Sequence, residues 1–217
     1  MTNANLPILY SFRRCPYAIR ARMALVYCDI KVELREVDLN NKPNELIKIS
    51  SKATVPVLLF RDGRKLEESL DIINWAMSVQ DKDGWLVLDK KQKILANLLI
   101  NENDTEFKLW LDKYKYSQRF PEHSEIYYRQ QGEMFLNKLN GLLTDQQYLI
   151  RNNLTYVDIA LAPFIRQFSN VDRDWFRNSK YQLLVPWLEN ILDSTIFIKT
   201  MQKYPVWGIG NKKSIFP

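Results

Sequence analysis

The order of strand and helix signals in the first eighty residues limits what this chain can fold into more than any other feature. Leu6–Tyr10 is a short apolar run suited to a strand. Pro16 then opens a helical pattern reaching Tyr27, with Ile19, Met23 and Val26 recurring at helical spacing. Strand-like segments follow near Lys31–Val37, Val57–Phe60 and Arg64–Glu67, with a short helix expected after Pro43 and a longer one over Ser69–Val79. The predicted order is β-α-β-α-β-β-α. Asp62-Gly63 between two apolar stretches is a hairpin signal, so the last two strands should run antiparallel, while the earlier helical crossovers imply parallel pairing. The expectation is a mixed four-stranded sheet.

After the polar stretch Asp81-Lys82-Asp83-Gly84, a linker running to about Asp89, the pattern becomes helical. Phe107, Trp110, Leu111 and Tyr114 share one face, as do Phe135, Leu139 and Leu142. Thr155 followed three residues later by Asp158 has the form of a capping box, and Pro163 should kink the helix it opens. The predicted fold class is thus α/β plus all-α, with residues 1–80 as the sheet domain and 90–217 as an all-helical domain.

Cys15 lies where the first strand hands over to the first helix, at or beside the helix N-cap. Unsatisfied backbone N–H groups and the positive end of the helix dipole favour an anion there, and Arg13, Arg14, Arg20 and Arg22 add positive charge. A thiol in such a place can be a nucleophilic thiolate at neutral pH; the plainer alternative is a small buried residue closing a turn. Only two cysteines, Cys15 and Cys28, and one histidine, His123, occur, so neither a disulfide framework nor a Cys/His zinc cluster is expected, and no metal is predicted. A triad would have to recruit His123 from a turn-like segment far along the chain.

The net charge of +6 comes from interspersed basic and acidic residues, and no nucleic-acid motif accompanies it, so most of the charge belongs to solvated faces. Met1–Asn5 lacks a secretory pattern and no apolar stretch approaches a membrane span, so neither nucleic acid nor membrane is an expected partner and a cytoplasmic location is expected.

The β-α-β-α-β-β-α order with Thr54-Val55-Pro56-Val57 resembles the thioredoxin fold, which implies a cis Val55-Pro56 bond; the alternative is a trans Pro56 that simply starts a strand. Taken with the helical half, the motifs Ser11–Arg22, Asn41-Lys42-Pro43, Val55-Pro56, Glu68-Ser69 and Thr155/Asp158 resemble the cytosolic glutathione S-transferase superfamily over essentially the whole chain. The likeness is to its cysteine-type members, most similar to the Omega class and related bacterial proteins.

That resemblance implies a thioredoxin-like glutathione-binding domain with glutathione as co-substrate. It makes Cys15 the catalytic residue and Lys42, Val55, Glu68 and Ser69 the glutathione contacts. Glu68 would face the γ-glutamyl ammonium, and Ser69 at a helix N-terminus the γ-glutamyl carboxylate. Val55 would pair through its backbone with the cysteinyl part, and Lys42 would reach the glycine carboxylate. Ser69 as a plain N-cap and Lys42 as a merely solvated side chain are the alternatives.

The implied reaction is monothiol transfer through a Cys15 mixed disulfide, with Cys28 too distant to close a dithiol cycle. Conjugation of glutathione to an electrophile through Ser11 or Tyr10, or a non-catalytic binding or regulatory role, are the competing readings. The electrophile or mixed-disulfide substrate would lie between the halves, near Trp110, Tyr114 and Tyr116, with core packing the favoured alternative for any one of the three, and homodimers are common among such proteins. Two departures stand out: Ala53 where such families often have Gly, and Arg151-Asn152-Asn153 shortly before the capping Thr, where Asn could supply left-handed backbone.

Overall fold

A computed structural model describes residues 6–217, so the expectation for Met1–Asn5 falls outside the described residues. The chain divides into two compact units, one running to Asp83 and completed by Ser194–Pro217, the other spanning Gly84–Asp193.

The first unit holds a five-stranded sheet. β1 (Ile8–Ser11) lies at its centre, parallel to β2 (Val32–Glu36) and antiparallel to β3 (Val57–Leu59), which pairs antiparallel with β4 (Lys65–Leu66). All of β1 is buried, as a strand covered on both faces must be. Alternation sends Ile8 and Tyr10 to one face, where they cluster with Val37, Leu46, Val55 and Val57. Leu46 belongs to α2 (Asn44–Ile49). Two longer helices, α1 (Pro16–Tyr27) and α3 (Ser69–Val79), pack against each other.

The expected four strands are exceeded by one. β5 (Ser214–Phe216) pairs antiparallel with Val32–Leu34 of β2 and buries Phe216 completely. Three residues are too few to show a strand period, so periodicity carried the helical half through to residue 217, whereas the last residues close the first sheet. The preceding α10 (Thr195–Thr200) packs on α1.

The second unit is helical: α4 (Lys90–Glu102), a π-helical turn at Asn103–Phe107, α5 (Lys108–Lys115), α6 (Glu125–Leu142), α7 (Tyr156–Ser169), α8 (Arg173–Arg177) and α9 (Leu184–Leu192). α7 is buried along most of its length and is held at its start by the predicted Thr155/Asp158 capping box. Gly132 of α6 lies so close to Phe168 that a Cβ there would sit 2.5 Å from its ring. Phe107, Leu111 and Tyr114 are buried as the shared face predicted, with Tyr114 against Phe168 and Trp110 stacked on Tyr128, which makes them packing residues of this unit. Among the described residues no helix is long and apolar enough to cross a membrane.

The segment before α7 departs from expectation. Neither Asn152 nor Asn153 is left-handed; the only described non-glycine residues with positive φ are Asp29 and Ala53. The segment is held instead by Arg151, which donates to the carbonyls of Gly84 (2.8 Å) and Val87 (3.0 Å), and by Asn152, whose side chain accepts from the Gln147 N–H at 3.1 Å.

Candidate active site around Cys15

The turn from β1 to α1 closes through the Cys15 N–H, which donates to the Phe12 carbonyl at 2.9 Å, and the helix starts with Ile19 N–H donating to Cys15 O at 2.9 Å. Cys15 is therefore the N-cap residue, in extended backbone with Pro16 behind it, and its side chain does not cap the helix. The sulfur is left for other contacts. It is half-buried and points its S–H toward the Val55 carbonyl at 3.6 Å.

Val55 is buried and its bond to Pro56 is cis, as the thioredoxin-like pattern implied. The departure at Ala53 coincides with φ +46°, the left-handed region where a glycine would sit without a Cβ penalty. The loop keeps its left-handed residue and carries an alanine there.

Ser69 is the first residue of α3 and nearly buried; its hydroxyl accepts from an Arg20 guanidinium N–H at 3.5 Å. Arg20 itself is fully buried on α1. Glu68 is the N-cap of α3, largely exposed, and its carboxylate pairs with Lys52 at 2.5 Å. That pairing holds the Lys52 ammonium above its usual range, through the hydrogen bond and the charge of Glu68. Three links thus tie the β1–α1 turn, the loop before β3 and the start of α3 together: Cys15 to Val55, Lys52 to Glu68, and Arg20 to Ser69. Lys42 stands apart in the loop before α2, half-buried and making no ion pair among the described residues.

Of the four arginines counted as positive charge near Cys15, two are committed elsewhere. Arg20 serves Ser69, and Arg22 is buried against Glu36 (3.3 Å) and the Gln202 carbonyl (3.1 Å). Burial outweighs the attraction between Arg22 and Glu36, lowering the guanidinium's pKa and raising the carboxyl's. Arg14 is exposed with its guanidinium over the Phe12 ring. The helix start is therefore a larger part of the sulfur's electropositive surroundings than the arginine count suggested.

The alternative nucleophile-activating hydroxyls are enclosed. Ser11 is fully buried and its Oγ has no hydrogen-bond partner. Tyr10 is buried, and its hydroxyl accepts from Arg35 at 2.6 Å; burial raises its pKa above the ordinary phenol value. Cys28, at the far end of α1, is buried and its thiol is pushed up to about 12, mainly by desolvation. Among the described residues no group of three or more His, Cys, Asp or Glu side chains is placed to hold a metal ion.

Lys52 and Glu36 were missed from the sequence. Glu36 had a signal, since it falls on the same strand face as buried Val32 and Leu34, and an acid at an apolar-face position needs a partner. Lys52 sits in a polar loop and had none.

Comparison with known proteins follows the same division of the chain. The model of the glutathione S-transferase N-terminal domain matches residues 9–82, and that of the glutathione S-transferase C-terminal domain matches residues 103–195. A glutathione S-transferase of Arabidopsis thaliana is 29% identical over 163 residues, covering 74% of this chain and 73% of its own. Glutaredoxin 2 of Escherichia coli is 29% identical over 148 residues, 66% of this chain and 67% of its own. Among solved structures, a glutathione transferase from Pseudomonas putida with one glutathione disulfide bound per subunit superposes with a TM-score of 0.78 at 18% identity, covering 93% of each chain.

Proposed function

The chain belongs to the glutathione S-transferase family, and from that premise we propose that it catalyses glutathione-dependent thiol transfer through a monothiol cycle on Cys15. The observation that carries the reading is a half-buried sulfur at the N-terminus of α1, opposite the Val55 carbonyl, with the other cysteine buried and held protonated. Likeness to a glutaredoxin and to a transferase solved with glutathione disulfide supports the same chemistry.

The electrons and protons balance without a further oxidant. The Cys15 thiolate attacks the glutathione-side sulfur of a mixed disulfide; a Cys15–glutathione bond forms, the old disulfide breaks, and the substrate leaves as a thiolate that takes up a proton. A second glutathione thiolate then attacks the glutathionyl sulfur on Cys15. Glutathione disulfide leaves and the Cys15 thiolate returns.

In this reading the first unit is the glutathione-binding domain. The Val55 backbone pairs with the cysteinyl segment. The α3 start with Ser69 takes the γ-glutamyl carboxylate, and Glu68 takes the ammonium, which Lys52 leaves room for by swinging on its exposed stem. Lys42, without an ion pair among the described residues, serves the glycine carboxylate. The substrate class is a mixed disulfide, and the cycle suits a glutathione-reduced compartment such as the cytoplasm.

Mass spectrometry of protein treated with glutathione disulfide, paired with a deglutathionylation assay, tests this. A single adduct on Cys15 and turnover, both lost in Cys15→Ser, are expected. Conjugating activity that survives Cys15→Ser would overturn it in favour of a hydroxyl mechanism, and binding without adduct or turnover in favour of a non-catalytic role.

A further inference from the structure

The Arg13 N–H of the β1–α1 turn finds its partner outside the turn. The Arg13 N–H donates to the Glu36 carboxylate at 2.6 Å, across twenty-three residues of sequence. Glu36 ends β2 opposite Ser11, and the Val37 N–H donates to the Ser11 carbonyl at 2.8 Å, so strand pairing delivers the carboxylate to the turn. Its second oxygen faces Arg22 of α1 at 3.3 Å. Both side chains are almost wholly buried.

The last residues of the chain complete the setting. Arg22 donates to the Gln202 carbonyl and lies over the rings of Phe216 (4.8 Å) and Tyr204 (5.8 Å). The Trp207 N–H donates to the Glu36 carbonyl at 2.8 Å. A buried carboxylate accepting from a backbone N–H two residues before the sulfur makes a charge-assisted bond, about twice as strong as a neutral one. The influence of a helix start on a thiolate fades within about one turn, so the benefit depends on where the turn holds Cys15.

We propose that Glu36, oriented by Arg22 and the C-terminal segment, is a positioning residue for Cys15, fixing the Phe12–Cys15 turn through the Arg13 N–H so that the sulfur is held at the start of α1. This rests on Cys15 being the reactive group, and it adds a role for an acid at the end of β2 and for the tail beyond α10.

Replacing only one partner would strand a buried charge, so the test uses two double variants of the full chain. Arg22→Met/Glu36→Gln keeps an acceptor for the Arg13 N–H, and Arg22→Met/Glu36→Leu removes it; apolar replacement of a buried ion pair is often neutral for stability. Alkylation of Cys15 by iodoacetamide is followed across pH on protein shown to be folded by circular dichroism. The Leu variant should react about tenfold or more slowly than the Gln variant at neutral pH, with its profile moved to higher pH, and the Gln variant should fall between the Leu variant and wild type. Equal rates in the two variants would overturn the proposal.

Hydrogen exchange in the unaltered protein supplies a check that needs no variant: the Arg13 amide should be protected, and exchange at the rate of a free loop amide would overturn the role. The glutathione reading fails separately, if unaltered protein forms no adduct with glutathione disulfide while Cys15 alkylation still responds to position 36.

Discussion

Replacing Asp158 with Asn probes the polar centre of the helical unit. The carboxylate is fully buried at the start of α7. One oxygen accepts from the Leu149 N–H (2.9 Å) and the Trp187 indole N–H (3.0 Å), the other from the Thr155 N–H and hydroxyl, each at 2.9 Å. Asparagine keeps one oxygen and turns the other into a donor. Placed toward Leu149 and Trp187, the amide nitrogen would face two donors that cannot rotate away. Placed toward Thr155, it faces a hydroxyl that can turn to accept and one N–H that cannot, so the second orientation wins.

One orphaned buried N–H costs about 1–3 kcal/mol, and the surviving bonds lose their charge assistance. Against this, burial already pushes the Asp158 pKa up despite the hydrogen bonds, so removing the charge recovers part of its desolvation. The net expectation is a loss of about 2–4 kcal/mol, or a thermal midpoint lower by about 5–15 °C for a chain of this size. Thermal and urea unfolding followed by circular dichroism measure it. A loss below about 1 kcal/mol would show that these donors find other partners and that the capping box is not the hub the geometry makes it.

The two thiols should separate sharply in reactivity. With Cys28 pushed up to about 12 by burial, its thiolate fraction near pH 8 is only about one in ten thousand, so mild alkylation should label Cys15 alone; comparable labelling of folded protein at Cys28 would refute this. Ala53→Gly should stabilise the protein by about 0.5–1 kcal/mol by relieving the left-handed alanine, net of the glycine's greater freedom when unfolded, as read by urea midpoint. Glu33 is buried, which alone would raise its pKa, yet hydrogen bonds and charge from Lys213 and Arg35 hold its carboxyl below the ordinary carboxylate range. A depressed acid stabilises above its unfolded pKa and loses that contribution as pH falls through the folded one, so Glu33→Gln should flatten the decline in stability below about pH 4.5. At neutral pH the same change should cost about 1–2 kcal/mol, discounted because Arg61 and Lys213 are largely exposed.

What the sequence made legible is what local rules control. Pro16 after a short apolar run marked the start of α1 and placed Cys15 at its cap. Asp62-Gly63 marked the β3–β4 hairpin, and Gly63 takes the positive φ that such a turn needs. Thr155 with Asp158 marked the start of α7. What stayed hidden depends on partners far away in the chain. A count of arginines near Cys15 could not tell that Arg22 turns to Glu36 and Gln202, or that Arg20 reaches Ser69 from forty-nine residues away. The Lys52–Glu68 pair joins two exposed loop residues, and β5 is too short to carry a period of its own.

These long-range contacts share a location, and it bears on why the site takes the form it does. α1 is buried on nearly every side, and such a helix is ordinarily apolar all round. Here it carries two fully buried guanidinium groups two positions apart, one directed to the start of α3 and the other to the end of β2. Buried ion pairs contribute little net stability, because desolvation offsets the attraction, and the pKa of each partner in the Arg22–Glu36 pair moves as desolvation dictates. An apolar α1 would pack at least as well. What the arginines add is direction: Arg20 meets the Ser69 hydroxyl at the start of α3, and Arg22 meets Glu36, whose other oxygen accepts from the Arg13 N–H. In the thiol-transfer reading proposed above, the same helix that carries Cys15 at its N-cap thereby also anchors, through these two side chains, the α3 start and the β1–α1 turn.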